Sequence, residues 1–174
     1  FKNDKTQNWI LVGLFSALGV LSKYLFVYLL IGIIFFFIYY LIKKKKFNFK
    51  YFISIAVFLL ILSPHFLWLV ENNYETINYG LKRSSLETST ALNHLTHPLK
   101  FIFKQIGTLL PFLLLLTLVL KNYKFKINKN DEKSIFLIST IIVPIILMLI
   151  TSLIFGANIR TMWMTPFYLF FGLF

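Results

Sequence analysis

The sequence has no cysteine and only six acidic residues, and charged residues of all kinds make up 14% of its 174 positions. Without cysteine there is no disulfide framework and no thiol chemistry. The motifs of common soluble enzymes are also missing: the glycine-rich phosphate loop, the GxSxG elbow, the HExxH zinc site and paired metal-binding cysteines. Because soluble domains carry roughly 25% charged residues, this composition excludes an ordinary soluble domain.

Apolar residues are what the chain has instead. Hydrophobic residues make up 58% of it and aromatic residues 19%, with 21 phenylalanines. Each long apolar run can cross or nearly cross a hydrocarbon core of roughly 30 Å at about 1.5 Å per residue. These runs are residues 25–42, 51–69, 101–120 and 134–155. The sequence therefore predicts an all-α, polytopic membrane helical bundle with about five to six transmembrane helices.

The first apolar stretch, residues 9–42, would be about 50 Å long as one helix, which is too long for a single crossing. Ser22, Lys23 and Tyr24 interrupt it, so we predict two helices that meet there. Gly13 and Gly19, with the small Ser16 and Ala17 between them, favour close approach of a neighbouring helix. Alternatively, residues 9–21 lie in the interface and only residues 25–42 span.

Basic residues predict the orientation. Residues 43–50 and 121–133 hold 10 of the 18 lysines and arginines, and the positive-inside bias makes both loops cytoplasmic. Residues 70–100, with balanced charge, and residues 156–163 are then outer loops. A net charge of +12 in a soluble protein would suggest nucleic acid. Here the lysines fit anionic lipid headgroups, so we expect membrane lipid and no nucleic acid as partner.

This topology gathers the unusual polar residues at the outer face. Lys23, Arg83 and Arg160 come from three outer segments, and we predict that they meet at one cavity that binds a lipid phosphate through charge-assisted hydrogen bonds. Two of the outer residues also have a purely structural interpretation. Lys23 could be a snorkelling lysine at a helix end, and Trp163 could belong to the aromatic belt. Pro64 followed by His65 predicts a broken helix end at a ligand position. Pro111 predicts a kink, and Pro144 is a second mid-helix proline.

Two further polar pairs carry weaker expectations. His94 and His97 are three residues apart and could share a metal ion, but without a third ligand solvated loop histidines are favoured. Glu71 and Glu75 could act as acid and base, yet their spacing equally suits an exposed helix face. We assign neither metal nor other cofactor, and we leave the catalytic residue unassigned.

Three segments carry a family resemblance. GLFSALGVLSKY at residues 13–24 resembles the GLxxGLGxLSKY-type segment of bacterial membrane glycosyltransferases in the dolichyl-phosphate-mannose-protein mannosyltransferase and aminoarabinose-transferase group, glycosyltransferase family 39. PHFLWLVEN at residues 64–72, followed by Tyr79 and Arg83, is similar to a later segment of that group. RTMWMTPFY at residues 160–168 is similar to another.

The resemblance implies a GT-C fold in the bacterial inner membrane, with its active face periplasmic or extracellular. It also implies a hexosyl- or pentosyltransferase that uses a polyprenyl-phosphate sugar and an acceptor that is a lipid, a glycan or a protein. The chain opens with Phe1 rather than Met and stops inside the apolar run 167–174, which is too short to span, so we expect a fragment truncated at both ends. The resemblance implies that the family's acidic catalytic residue lies in an upstream outer loop, so we expect the fragment to be inactive alone. Its expected contribution is a set of donor-phosphate or substrate contacts: Lys23, Tyr24, His65, Tyr79, Arg83 and Arg160.

Two other readings remain open. A lipid flippase or transporter would also be multi-pass, but it would be expected to place ionisable groups near the bilayer midplane, where this sequence has almost none. A membrane scaffold would simply expose its outer polar residues to water. An upstream acidic pair would favour the transferase, whereas an inverted internal repeat would favour transport.

Overall fold

The computed structural model describes residues 5–45, 47–84, 90–119 and 131–168. This described part of the chain is helical and contains no strand, which confirms the all-α prediction. The α-helices are α1 (Thr6–Ser22), α2 (Phe26–Lys44), α3 (Tyr51–Glu71), α4 (Glu75–Arg83), α5 (Asn93–Val119), α6 (Glu132–Phe155) and α7 (Thr165–Tyr168), and a 3-10 turn (Thr161–Met164) precedes α7.

Four of these helices, α2, α3, α5 and α6, are long and apolar enough to cross a membrane, while α1 is a shorter apolar helix. The protein is therefore an integral, multi-pass membrane protein. The chain divides into an N-terminal unit, Phe1–Tyr79, and a C-terminal unit, Gly80–Phe174. The boundary between the two falls within α4.

In the N-terminal unit, α1 packs along α3. Gly13 is buried at this contact, and a Cβ atom added to it would lie 2.5 Å from the Ser54 carbonyl oxygen. Ala17 is fully buried, and the Ser54 hydroxyl donates to the Trp9 carbonyl oxygen at 2.6 Å. Of the small residues predicted to admit a neighbouring helix, Gly13 does so against α3.

The predicted division of the first apolar stretch is confirmed. α1 ends at Ser22 and α2 begins at Phe26. The backbone N–H of Lys23 and the hydroxyl of Ser22 both donate to the Gly19 carbonyl oxygen, at 3.1 and 2.8 Å. These two bonds cap α1 and place Lys23 and Tyr24 in the turn that follows.

The prediction of a broken helix at Pro64 is wrong, because α3 continues through it to Glu71. Proline has no N–H to donate to the carbonyl oxygen four residues earlier, which would leave the Leu60 carbonyl without its helical partner. The Ser63 hydroxyl donates to that oxygen instead, at 2.8 Å. The serine before the proline thus stabilises the helix that the proline alone would interrupt.

α3 is followed by a tight left-handed turn. Asn72 donates to the Trp68 carbonyl oxygen from its backbone at 3.0 Å and from its side chain at 2.8 Å. Asn73 and Tyr74 then have φ values of 51° and 56°. The Tyr74 N–H donates back to Leu69 at 2.8 Å, and the chain enters α4 immediately afterwards.

Residues 70–100 are not one loop, since they contain α4 and the first turns of α5. α4 has Glu75 in its first turn and Lys82 and Arg83 in its last, and these charges suit the two ends of the helix dipole. Of the predicted basic loop at residues 121–133, residues 121–130 lie outside the described residues.

In the C-terminal unit, α5 packs against α6, and both helices are continuous through their prolines. Their buried positions include Phe101, Ile141 and Met148. The Asp131 carboxylate caps α6 by accepting from the Ser134 backbone N–H, and Gly156 ends the helix in the left-handed conformation, with φ 64°.

Candidate functional site

A polar cluster joins three segments of the N-terminal unit. The Tyr24 hydroxyl, in the turn between α1 and α2, lies 2.8 Å from His65 Nε2 of α3. The same hydroxyl lies 2.8 Å from Thr76 Oγ1, in the first turn of α4. Tyr24 therefore connects the turn between α1 and α2 to both α3 and α4 through one oxygen atom.

Aromatic contacts surround the histidine of this cluster. The His65 ring lies nearly parallel to the Trp68 ring, with centroids 5.8 Å apart and an interplanar angle of 13°. On α3 the two residues are three positions apart, which brings their side chains to one face. The Tyr24 ring is also 5.8 Å from His65, tilted by 32°. The imidazole is thus held by two rings as well as by a hydrogen bond.

The hydrogen-bond chemistry of the cluster is adjustable. A tyrosine hydroxyl donates one hydrogen and can also accept, and a threonine hydroxyl does the same. If Tyr24 donates to His65 Nε2, it can accept from Thr76; if His65 donates, Tyr24 donates to Thr76. Tyr24 is 37% exposed, so a ligand can reach the hydroxyl group that is shared by the two hydrogen bonds.

Lys23 precedes Tyr24 and brings a positive charge to the same turn. Its side chain is partly buried, and this desolvation lowers the pKa of the ammonium from its ordinary value of 10.5. A partly desolvated cation is stabilised by a nearby anion more strongly than a fully hydrated one. The turn therefore carries one cation and one hydroxyl group on consecutive residues.

In the C-terminal unit, the segments that carry two arginines are joined. Arg83 is the last residue of α4, and the carbonyl oxygen of the next residue, Ser84, accepts from the backbone N–H of Asn158 at 2.8 Å. Arg160 follows two residues later with an exposed side chain. Convergence of Lys23 with these arginines stays a prediction.

Tyr79, the remaining candidate, has an exposed side chain in α4. Thr76 was not among the predicted site residues, although it takes part in the cluster. Its only signal was a polar residue next to Glu75, which no motif distinguishes from the neighbouring threonines and asparagines.

The prediction of solvated loop histidines is wrong. His94 and His97 lie in the first turns of α5, and each Nδ1 atom lies close to a backbone carbonyl oxygen at the end of α6. The distances are 2.9 Å from His94 to Leu153 and 2.7 Å from His97 to Gly156. Within the part of the chain that the structure describes, no three His, Cys, Asp or Glu side chains are grouped to hold a metal.

Comparison with known proteins adds one match. The family described as dolichyl-phosphate-mannose-protein mannosyltransferase matches residues 1–68. No curated protein and no solved structure gives a significant match. The matched segment includes Lys23, Tyr24 and His65 and stops before Arg83. The predicted family resemblance is confirmed over this segment, and it supports a membrane glycosyltransferase of the mannosyltransferase type.

Proposed function

We propose that this mannosyltransferase-type membrane protein transfers a sugar from a polyprenyl-phosphate donor to a lipid, glycan or protein acceptor at the outer face of the membrane. The observation that carries the proposal is the position of the Lys23 and Tyr24 turn inside the segment matched by the family. That turn lies at a helix end, where a cation and a hydroxyl group are within reach of a ligand.

In this proposal, Lys23 binds the donor phosphate. The charge-assisted hydrogen bond is favoured because the ammonium is partly desolvated before the ligand arrives. A lipid phosphate can approach sideways from the bilayer, since the flanking helices α1 and α2 expose apolar side chains such as Leu21 and Val27. The lipid chain then stays in the hydrocarbon while the phosphate reaches the turn.

Tyr24 and His65 complete this end of the site. The Tyr24 hydroxyl can exchange one of its two partners for an oxygen of the donor, because donor and acceptor roles within the cluster can reverse. His65 is held by Tyr24 and Trp68 and so keeps the Tyr24 side chain in place while the hydroxyl group changes partner.

Arg83 and Arg160 provide a second basis for phosphate recognition. Each guanidinium presents a planar set of donors suited to phosphate oxygens. The backbone hydrogen bond between Ser84 and Asn158 supports a joint role, because it brings the two segments together. We include Tyr79 as a donor or acceptor contact on the same helix as Arg83. The proposal invokes no divalent metal, since the cationic side chains neutralise the phosphate.

Transfer itself is the decisive measurement. The intact protein, reconstituted in vesicles, is given a radiolabelled polyprenyl-phosphate sugar and total membrane acceptors, with and without EDTA. We expect label on an acceptor under both conditions. If the labelled lipid crosses the bilayer while no acceptor becomes labelled, the protein is a flippase and the proposal fails.

Arg83→Ala tests the cationic contribution in the same assay. A hydrogen bond to a charged group is worth roughly 1.5 to 3 kcal/mol, so we expect donor use to fall by about ten- to a hundredfold. Lys82→Ala, a cation one residue earlier on α4, is the matched control and should change transfer little. Equal losses in the two variants, or reduced membrane abundance of Arg83→Ala, would argue against a specific role.

A further inference from the structure

The segment that carries Arg160 is held by three hydrogen bonds within the C-terminal unit. The Ser152 hydroxyl donates to the Ala157 carbonyl oxygen at 2.8 Å. His97 Nδ1 lies 2.7 Å from the Gly156 carbonyl oxygen, and the Asn158 N–H donates to Ser84 at 2.8 Å. Gly156, Ala157 and Asn158 are thus held by α5, α6 and the residue that follows α4, respectively.

The hydrogen bond from His97 to Gly156 also determines which nitrogen of the imidazole carries the hydrogen. A carbonyl oxygen only accepts, so Nδ1 must carry the hydrogen in this contact. Gly156 lies just beyond α6, where helix carbonyl groups lack intrahelical partners. Its left-handed conformation turns the chain out of the helix, and the histidine satisfies the carbonyl at that turn.

His94 makes the same kind of bond at a different place. Its acceptor, the Leu153 carbonyl oxygen, belongs to α6, whose backbone is already held by its own helical bonds and by packing against α5. The acceptor of His97 belongs to the non-helical segment. Loss of the His94 bond therefore loosens a contact between helices, whereas loss of the His97 bond loosens the segment.

We propose that His97 is a positioning residue for Arg160. By holding the Gly156 carbonyl, it keeps residues 157–160 beside Ser84, so that Arg160 is presented next to the segment of Arg83. His97 does not itself bind the phosphate. Its effect on donor binding rests on the proposed function, but its effect on the position of the segment does not.

The position can be measured without any transfer reaction. Because residues 1–174 contain no cysteine, the pair Ser84→Cys and Asn158→Cys gives a single possible disulfide within this part of the protein. Its rate of formation under mild oxidation reports how often the two segments meet. A hydrogen bond of ordinary net strength corresponds to roughly a two- to tenfold change in that population.

Two substitutions of His97 distinguish the contribution of its hydrogen-bond donor from that of its aromatic ring. In His97→Asn, the side-chain amide nitrogen occupies the same covalent distance from Cα as Nδ1, so it can still donate to Gly156. In His97→Gln, the amide nitrogen lies one bond further out, at the distance of Nε2. We expect cross-linking to stay near the parent rate in His97→Asn and to fall two- to tenfold in His97→Gln and His97→Ala.

His94→Ala is the matched control and should cross-link at the parent rate. In the transfer assay, His97→Gln should raise the KM for the donor with little change in kcat. The donor KM of His97→Asn should stay near the parent value. Parent-like cross-linking in both His97→Gln and His97→Ala, or equal slowing in His97→Asn and His94→Ala, would overturn the proposal. If the parent transfers no sugar, the proposed function fails while cross-linking still decides the role of His97.

Discussion

His65 in the N-terminal unit and His97 in the C-terminal unit both make one hydrogen bond to a distant part of the chain, yet their partners differ in kind. His65 is bonded to a side-chain hydroxyl that can rotate, donate or accept. His97 is bonded to a main-chain carbonyl that can only accept. The first contact can be rearranged by a ligand, whereas the second holds the backbone in place.

The family match includes the first of these two histidines and not the second. It covers the segment of His65 and ends before α4, so it includes nothing of the C-terminal unit. In the N-terminal unit, the proposal of donor binding draws on both the family match and the hydrogen bonds of Tyr24. In the C-terminal unit, the case rests on two arginines and the backbone hydrogen bond between their segments.

The largest expected effect concerns sidedness, because the comparison has functional meaning only if both polar regions face the same compartment. We predict that Ser89→Cys is labelled from outside intact cells and that Lys45→Cys and Lys126→Cys are labelled only after permeabilisation. Positions 89 and 126 lie outside the described residues. Labelling at 45 or 126 in intact cells, with none at 89, would invert the topology.

A substitution at Gly13 should damage the N-terminal unit selectively. In Gly13→Ala, the new Cβ would lie 2.5 Å from the Ser54 carbonyl oxygen, so α1 and α3 must separate, at an expected cost of about 1 to 3 kcal/mol. Thermal unfolding in detergent measures the loss. Gly107→Ala in α5, where the added Cβ meets no atom within 4 Å, is the control and should not destabilise the protein. Similar destabilisation in both would contradict close packing at Gly13.

The pH dependence of donor binding should identify Lys23. The protonated ammonium binds phosphate, so affinity falls as pH rises through the lysine pKa. Because burial lowers the pKa of Lys23, this fall should begin at a lower pH than an exposed lysine would give. We expect the donor KM of the parent to rise at a pH below that at which an exposed lysine deprotonates, and to stay level in Lys23→Arg, because arginine keeps its charge. An unchanged profile in the arginine variant would assign the titration to another group.

The smallest expected effect is that of Tyr24→Phe. It removes both hydrogen bonds of the hydroxyl but keeps the ring against His65, so we expect a loss of stability of about 1 kcal/mol and a fall in transfer of a few-fold. Tyr39→Phe, in α2, is the control. If stability and transfer in Tyr24→Phe match those of this control, the cluster has no part in donor binding. The difference between the contacts of His65 and His97 would then be structural only.

Local patterns predicted much of the fold. Hydropathy gave the long helices, and the polar residues around Lys23 gave the division between α1 and α2, because each depends only on neighbouring residues. α4 was missed as a polar stretch, although Glu75 at its start and Lys82 and Arg83 at its end are helix signals. The continuity of α3 depends on one serine hydroxyl next to Pro64, and hydropathy does not register that bond.

The site was less predictable because its contacts are not local. The resemblance indicated Lys23, Tyr24 and His65 as site residues, but the bond between Tyr24 and His65 joins positions 41 residues apart. The bonds of His94 and His97 each span 59 residues. A histidine that binds a ligand and a histidine that binds a carbonyl have the same one-letter code, and only the packing of helices distinguishes them.

The left-handed turn at Asn73 and Tyr74 has a consequence for how Thr76 reaches Tyr24. Two consecutive residues other than glycine with positive φ hold strain of the order of 1 to 3 kcal/mol each, less for asparagine. The hydrogen bonds from Tyr74 to Leu69 and from the Asn78 side chain to Asn73 offset this strain and permit one direction of departure from α3. Glycine at either position would relieve the strain but would also allow more backbone conformations at the turn. The orientation of α4 would then be less restricted, and Thr76 would be held less firmly against the Tyr24 hydroxyl.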